Sequence, residues 1–118
     1  MELVCFQGLD KENYPQLNAL IKRGEWEKII VIKNKEAEAF ISQENCETIN
    51  VNSNLTITEL KEQLMEKIKS QLGKDFEVAL SLASGSGKEH MALISALLNI
   101  PVGIRLVAYT KNGVEFIS

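Results

Sequence analysis

A short turn in the second half of the chain carries the residues whose types and spacing best suit chemistry. It follows the apolar run FEVALSLA and reads Ser84, Gly85, Ser86, Gly87 and Lys88. The two glycines have no Cβ, so the backbone can approach a ligand closely and present successive N–H groups to it. Those groups and the dipole of a following helix favour an anion, while the serines add hydroxyl donors and the lysine adds a positive charge. The pattern indicates a phosphate-binding turn.

The same stretch also fits an ordinary helix start. Ser86 is a suitable N-cap, and Glu89, three residues later, completes a capping box. Capping does not account for Lys88, because a cation in the first helical turn is unfavourable by a few tenths to about 1 kcal/mol. A docked anion would offset that cost. We therefore expect the turn both to cap the helix and to bind a ligand.

Two common nucleotide-binding motifs are disfavoured at this turn. The P-loop pattern GxxxxGK[ST] requires a hydroxyl residue after the lysine, whereas Glu89 follows Lys88, and Leu82 stands in place of the first glycine. The dinucleotide fingerprint GxGxxG also fails, because no third glycine follows Gly85 and Gly87.

Further candidate residues lie in a second glycine turn and in the following helix. The second turn follows the first strand and contains Gly8, Leu9 and Asp10. Asp10 can contact a ribose or orient a water, or it can cap a helix that starts at Lys11; both interpretations stay open. His90 can act as a general base beside an anion, but a histidine without an evident partner is more often a surface residue.

Strand and helix patterns alternate along the chain. Apolar, β-branched runs at residues 2–7, 27–33, 47–52 and 76–83 predict strands, and GIRLVAYT and VEFIS predict a hairpin around Asn112 and Gly113. Helical periodicity separates these strands, strongest in TITELKEQLMEKIKSQLG and weakest in NKEAEAFIS. This order predicts one α/β domain over residues 1–118: a Rossmann-like, doubly wound, mainly parallel sheet with helices on both faces and a C-terminal antiparallel hairpin.

The expected topology brings the two glycine turns together. Ligands of open doubly wound sheets bind beyond the carboxyl ends of the strands, at the topological switch point. If the strands are ordered 3-2-1-4-5, the first and fourth strands are neighbours at that point. The turns that follow them are the Gly8 turn and the Ser84–Lys88 turn, so both should border one crevice.

Composition narrows the range of partners. The 118 residues carry a net charge of −3, which disfavours broad binding to duplex nucleic acid. No apolar run approaches the roughly 20 residues needed to span a bilayer, and no basic leader is seen, so we expect a cytoplasmic protein without a membrane partner. With one histidine and two cysteines in no cluster, we expect no metal site and no cofactor.

The helix that follows the Ser84–Lys88 turn is apolar on nearly all sides. Its residues 91–98 read MALISALL, whereas a helix that covers one side of a sheet usually keeps a polar face. This helix is therefore either fully covered inside the domain or in contact with a partner. We expect a homodimer formed through helix 87–98.

These features resemble the CRISPR-associated Rossmann-fold domain, the CARF domain. The resemblance is carried by the Rossmann-like order, the turn after the fourth strand, the apolar helix behind it and the terminal hairpin. Ser84, Gly85 and Lys88 match the hydroxyl, first glycine and lysine of the family's [ST]GGTK-type turn, while Ser86 and Gly87 depart from it. The resemblance implies a homodimer that binds a cyclic oligoadenylate across its two-fold axis, with phosphates cradled by residues 84–88 and by residues 8–10.

Three functions follow from these observations. The first is a ligand-sensing module that binds an anionic nucleotide. The second, which the resemblance implies for some family members, is a metal-independent ring nuclease using Ser84, Lys88 and His90. The third is a structural or interaction subunit whose contact surface is helix 87–98 and whose turn only caps that helix. Family members usually carry an effector domain, so we expect either a stand-alone ligand-binding protein or a part of a larger protein or assembly.

Overall fold

The computed structural model describes residues 1–38, 45–73 and 76–118, in which strands and helices alternate as the sequence predicts. The strands are β1 (Glu2–Gln7), β2 (Ile29–Asn34), β3 (Cys46–Val51), β4 (Glu77–Ser81), β5 (Gly103–Thr110) and β6 (Gly113–Phe116). The helices are α1 (Tyr14–Arg23), α2 (Ile57–Gln71) and α3 (Gly87–Leu98), and a 3₁₀ turn, Lys11–Asn13, precedes α1.

The strands form one sheet in the order β3-β2-β1-β4-β5-β6. β1 to β5 run parallel, and β6 pairs antiparallel with β5. The order 3-2-1-4-5 and the C-terminal hairpin are thus confirmed, and the switch point lies between β1 and β4. In the hairpin turn, Gly113 has a φ of +98°, but Asn112 does not share the positive φ that the sequence predicts for it.

Helices cover both faces of the sheet. β1 and β2 are buried along their whole length because they lie in the middle of the sheet between two layers of side chains. On one face, α1 packs its buried residues Leu17, Leu20 and Ile21 against alternate residues of these strands. On the other face, α2 and α3 bury the larger core, where α2 contributes a stripe at i+4 spacing: Leu60, Leu64 and Ile68.

The weak helical pattern NKEAEAFIS does not begin a helix. After Asn34 the chain makes a turn, in which the amide of Glu36 donates to Asn34 Oδ1 at 3.0 Å and the amide of Ala37 donates to the Asn34 carbonyl at 2.8 Å. Short amide side chains compete with helix formation by bonding the nearby backbone in this way. The prediction is wrong for this part, and residues 39–42 of the pattern lie outside the described residues.

Among the helices of the described residues, none combines the length and the apolar composition needed to cross a bilayer.

Candidate ligand crevice at the sheet switch point

The turns after β1 and β4 are joined by a network of hydrogen bonds. The amide of Gly8 donates to Ser84 Oγ at 3.0 Å, and this hydroxyl donates to Asp10 Oδ1 at 2.8 Å. The amide of Gly85 donates to the same carboxylate oxygen at 3.0 Å. The Ser84 hydroxyl, which is buried with the residue only 1% exposed, therefore accepts a hydrogen bond from one residue of the first turn and donates one to another. The structure thus brings together the two turns that the sequence predicts to border one crevice.

Gly8 and Gly85 allow these turns to meet backbone to backbone. A Cβ on Gly8 would lie 2.8 Å from Gly85 Cα and 2.7 Å from Asp10 Oδ1. Gly85 has a φ of +110°, a region that favours glycine, and a Cβ there would lie 2.9 Å from the Phe6 ring. Both positions therefore need glycine for the fold itself, before any ligand is considered.

Asp10 does not cap the helical segment that starts at Lys11. Its side chain makes no cap hydrogen bond; Oδ1 accepts from Ser84 and Gly85, and Oδ2 accepts from the Asn13 amide group at 2.6 Å. Partial desolvation acts to raise the pKa of Asp10, but hydrogen bonds from Asn13, Ser84, Gly85 and its own backbone outweigh it and hold this pKa below its usual value. The capping interpretation is corrected because a neighbouring turn offers the carboxylate more donors than its own helix does.

The predicted capping box at the start of α3 is confirmed. The amide of Glu89 donates to Ser86 Oγ at 3.2 Å, and the amide of Ser86 donates to Glu89 Oε1 at 2.7 Å. Glu89 is only 4% exposed, and its second oxygen, Oε2, accepts from the hydroxyl of Ser53 in the loop after β3. The capping residue Glu89 therefore also connects α3 to the loop after β3.

Lys88 points to the loop after β3. Its Nζ donates to the Ser53 carbonyl oxygen at 2.7 Å, and the side chain does not line the crevice. This bond provides a structural partner for the cation that capping alone left unexplained. Ligand binding by Lys88 stays a prediction.

A crevice of about 400 Å³ opens between these turns, at the carboxyl ends of β1 to β4. This volume lies in the range of small-molecule sites. Most of its lining residues have polar side chains, and they come from four strand ends: Leu9, Asp10, Asn34, Ser53, Asn54, Gly85, Ser86 and Glu89. Of the residues that the sequence singles out for ligand binding, four line the crevice, Gly8 and Ser84 join its two turns, and Gly87 and Lys88 lie outside its lining.

The crevice also includes Asn34, Ser53 and Asn54, which the sequence pattern did not single out, and Glu89, which it marked only as a cap. A signal for the first three was present, since each lies at or just after the end of a strand in a parallel sheet. These positions were not predicted because the prediction relied on turns that carry a glycine directly after a strand.

The three residues predicted to act in ring cleavage are only partly brought together. His90 Nε2 lies 2.6 Å from the carbonyl oxygen of Ser84, but the Ser84 hydroxyl is buried in the bonds to Gly8 and Asp10. Lys88 is bound to Ser53. In this arrangement the serine hydroxyl and the lysine amine do not face a common open space.

A second hollow, of about 420 Å³, lies on the outer side of α3. It is lined by Gly87, His90, Met91, Ile94, Ser95 and Leu98. Met91 is 60% exposed and Leu98 is 71% exposed, and Leu9 beside the crevice is 56% exposed. Helix α3 is therefore not fully covered within the chain, which removes one of the two explanations for its apolar sequence. An exposed apolar face that includes Met91 and Leu98 thus lies on α3 next to the crevice.

Gly87 and Lys88 keep the open amides at the start of α3. The amides of Gly85 and Ser86 are taken by Asp10 and Glu89, whereas no acceptor among the described residues meets the amides of Gly87 and Lys88. A Cβ on Gly87 would meet nothing within 4 Å. The N-terminus of α3 thus presents two free N–H groups beside unobstructed space, an arrangement that suits an anion.

Comparison with family models, with curated proteins and with solved structures finds no match for the chain.

Proposed function

We propose that this protein is a CARF-like ligand-sensing module of the cytoplasm that binds an anionic nucleotide, a cyclic oligoadenylate, across a homodimer. Three features support the proposal: a crevice at the switch point of the sheet, an open helix N-terminus on its rim, and an apolar helix face beside it. The class of ligand comes from the resemblance of residues 84–88 to the CARF turn.

Gly87 carries most of the argument for a ligand. Gly8 and Gly85 are needed by the fold, because a Cβ would collide with backbone or with a core ring. Gly87, the first residue of α3, has open space around it and no positive φ, so the fold does not require glycine at this position. A ligand group that approaches the free amides of Gly87 and Lys88 explains why this position has no side chain.

The homodimer is proposed from the exposed face of α3. Met91 and Leu98 form an apolar surface that the chain itself leaves open. A second copy packed on this face would bury these side chains and place two α3 N-termini near each other. A ligand with several phosphates could then contact both subunits.

Binding without cleavage fits the contacts better than ring hydrolysis. Cleavage with Ser84 and Lys88 as helpers would require both side chains to leave their present partners, Asp10 and Ser53. The interaction-subunit hypothesis keeps the apolar face and dispenses with the ligand, but it leaves Gly87 without a reason.

The test is to incubate the protein with cyclic tetra-adenylate and cyclic hexa-adenylate and to follow both its melting temperature and the ligand by chromatography. We expect one of the two rings to raise the melting temperature and to be recovered intact. Linear products that disappear in Lys88→Ala would instead identify a ring nuclease. If neither ring shifts the melting temperature or is consumed, both nucleotide functions are wrong and the interaction subunit is left.

A further inference from the structure

We infer that the crevice binds hydrogen-bond donors of the ligand's nucleoside, a ribose hydroxyl or the amino group of a base, and that the phosphate lies outside it on the amides of Gly87 and Lys88. This inference rests on the proposed function and names which part of the nucleotide each surface recognises. It reverses the expectation that the phosphate would enter the crevice at Gly85 and Ser86.

The first step is that the amides nearest the crevice are already used. Gly85 N–H donates to Asp10 at 3.0 Å, and Ser86 N–H donates to Glu89 at 2.7 Å. Each of these carboxylates also holds a second group, the hydroxyls of Ser84 and Ser53 respectively. A phosphate could reach either amide only by displacing the carboxylate that now accepts from it.

The second step is that the crevice offers acceptors. A carboxylate oxygen can accept about two hydrogen bonds. Within the described part of the chain, Asp10 Oδ2 accepts a side-chain hydrogen bond from Asn13, and each oxygen of Glu89 accepts from one donor. Unused acceptor capacity therefore remains on both side chains that line the cavity.

The third step is electrostatic. A phosphate placed between Asp10 and Glu89 would meet two carboxylates at short range, where like charges repel strongly and water screens them little. An uncharged hydroxyl or amino group meets no such penalty, and a hydrogen bond to a charged acceptor is stronger than one between neutral groups. The 400 Å³ volume is adequate for a sugar or a base.

A metal ion fits the crevice less well than a nucleoside. Divalent cations such as Mg²⁺ and Ca²⁺ take six or more oxygen ligands. In the described residues, no group of three or more acidic, histidine or cysteine side chains is placed to hold one. The two carboxylates are moreover oriented by their own backbone and hydroxyl donors.

The place for the phosphate follows from what is left. The free amides of Gly87 and Lys88 lie between the crevice and the hollow on the outer side of α3, since Ser86 lines the first and Gly87 lines the second. A nucleotide can therefore put its nucleoside into the crevice and its phosphate over the helix N-terminus. The phosphate then faces the apolar surface of α3, where a second copy is proposed to dock.

The experiment compares cyclic tetra-adenylate with two analogues that each lack one donor, the 2′-deoxy ring and the ring with inosine in place of adenosine. Affinities are measured by calorimetry for the wild type, for Asp10→Asn and for Glu89→Gln. Glu66→Gln is the control, because Glu66 is an exposed carboxylate in the second half of α2 and does not line the crevice.

We expect at least one analogue to bind the wild type roughly tenfold more weakly or worse, as is typical when a hydrogen bond to a charged group is lost. We expect Glu89→Gln to weaken binding of the parent ring and to reduce the difference between ring and analogue, while Glu66→Gln changes neither. In nuclear magnetic resonance spectra, the parent ring should shift the amide signals of Gly87 and Lys88 more than those of Gly85 and Ser86.

Tighter binding by Asp10→Asn, or equal binding of all three rings to the wild type, would overturn the inference while leaving the proposed function intact. If no ring binds any of the proteins, the proposed function is wrong and the inference falls with it.

Discussion

Asp10 Oδ1 lies 3.0 Å from the amide nitrogen of Gly85, so a carboxylate of the protein itself occupies a place that the sequence assigns to a bound anion. The same oxygen accepts the hydroxyl of Ser84 at 2.8 Å. The carboxylates of Asp10 and Glu89 therefore occupy the amides of Gly85 and Ser86, and the amides that stay open to an anion are those of Gly87 and Lys88.

Gly8→Ala should destabilise the protein. The new Cβ would lie 2.8 Å from Gly85 Cα, and backbone atoms cannot move aside as a flexible side chain can. We expect a loss of about 1–3 kcal/mol in the free energy of unfolding, the usual cost of overpacking. Urea denaturation measures it. An unchanged midpoint would mean that the two turns do not approach each other as closely as described.

Gly87→Ala is the matched substitution at an open position. A Cβ there meets nothing within 4 Å, and alanine is the better helix former, so the unfolding free energy should stay the same or rise by about 0.4–1 kcal/mol. Affinity for the cyclic oligoadenylate should fall, because the methyl group would stand over the free amides. A variant that binds as tightly as the wild type would contradict the role given to Gly87.

Ser84→Ala should show that this hydroxyl is structural. The change leaves the buried amide of Gly8 without its acceptor and removes one donor from Asp10. We expect the unfolding free energy to drop by about 1–3 kcal/mol, the cost of an unsatisfied buried polar group. Ser70→Ala is the control, since Ser70 is exposed on α2 and bonds only within its own helix. Similar small losses in both variants would argue against the network.

Asp10→Asn should change the acid sensitivity of the fold. The pKa of Asp10 is lower in the folded protein than in the unfolded chain, so the unfolded chain binds the proton first. The stability from Asp10 is therefore present above about pH 4 and is lost as the pH falls through the lowered pKa. Glu38 and Glu59 also have lowered pKa values, so both proteins weaken in acid.

The difference between the two stability curves isolates the contribution of Asp10. Thermal unfolding from neutral to acidic pH should show that the wild type loses its advantage over Asp10→Asn as the pH falls below about 4. Parallel curves across this range would contradict the hydrogen bonds assigned to this carboxylate.

Charges on the outer face of α3 should prevent dimer formation. Met91→Glu with Leu98→Glu places two carboxylates in the exposed apolar face, and we expect a monomer where the wild type is a dimer. Phe116→Glu is the control, because Phe116 is also exposed, at 40%, but lies on the edge strand β6, where its ring packs against Trp26 on the α1 side of the sheet. Analytical ultracentrifugation reads the mass directly. A wild type that sediments as a monomer at every concentration would rule out the proposed dimer.

Much of the fold was predictable from local patterns. The bounds of α3, Gly87–Leu98, follow from the Ser86 cap and from Pro101 beyond its end, and the second capping box, Thr56 with Glu59, marks the start of α2. These signals act within a few residues of one another. The parallel sheet follows from the alternation of strand and helix, since consecutive parallel strands need a crossover between them.

The partners of the site residues were not predictable in the same way. Ser84 and Asp10 are 74 positions apart, and Lys88 and Ser53 are 35 apart. A glycine turn followed by a lysine is equally compatible with a side chain that reaches a ligand and with one that reaches a neighbouring loop. The choice depends on which carbonyls and carboxylates other strands bring to the same edge, and periodicity carries no such information.

The backbone contact between Gly8 and Gly85 also bears on how this scaffold could acquire new specificities. Because the two turns touch through main-chain atoms, the distance between them does not depend on the conformation of any exchangeable side chain. Asn34 and Asn54 lie on the opposite wall and are presented by other strand ends. Substitutions of Asn34 and Asn54 can therefore change which ligands the crevice binds, while the main-chain contact between the turns after β1 and β4 stays the same.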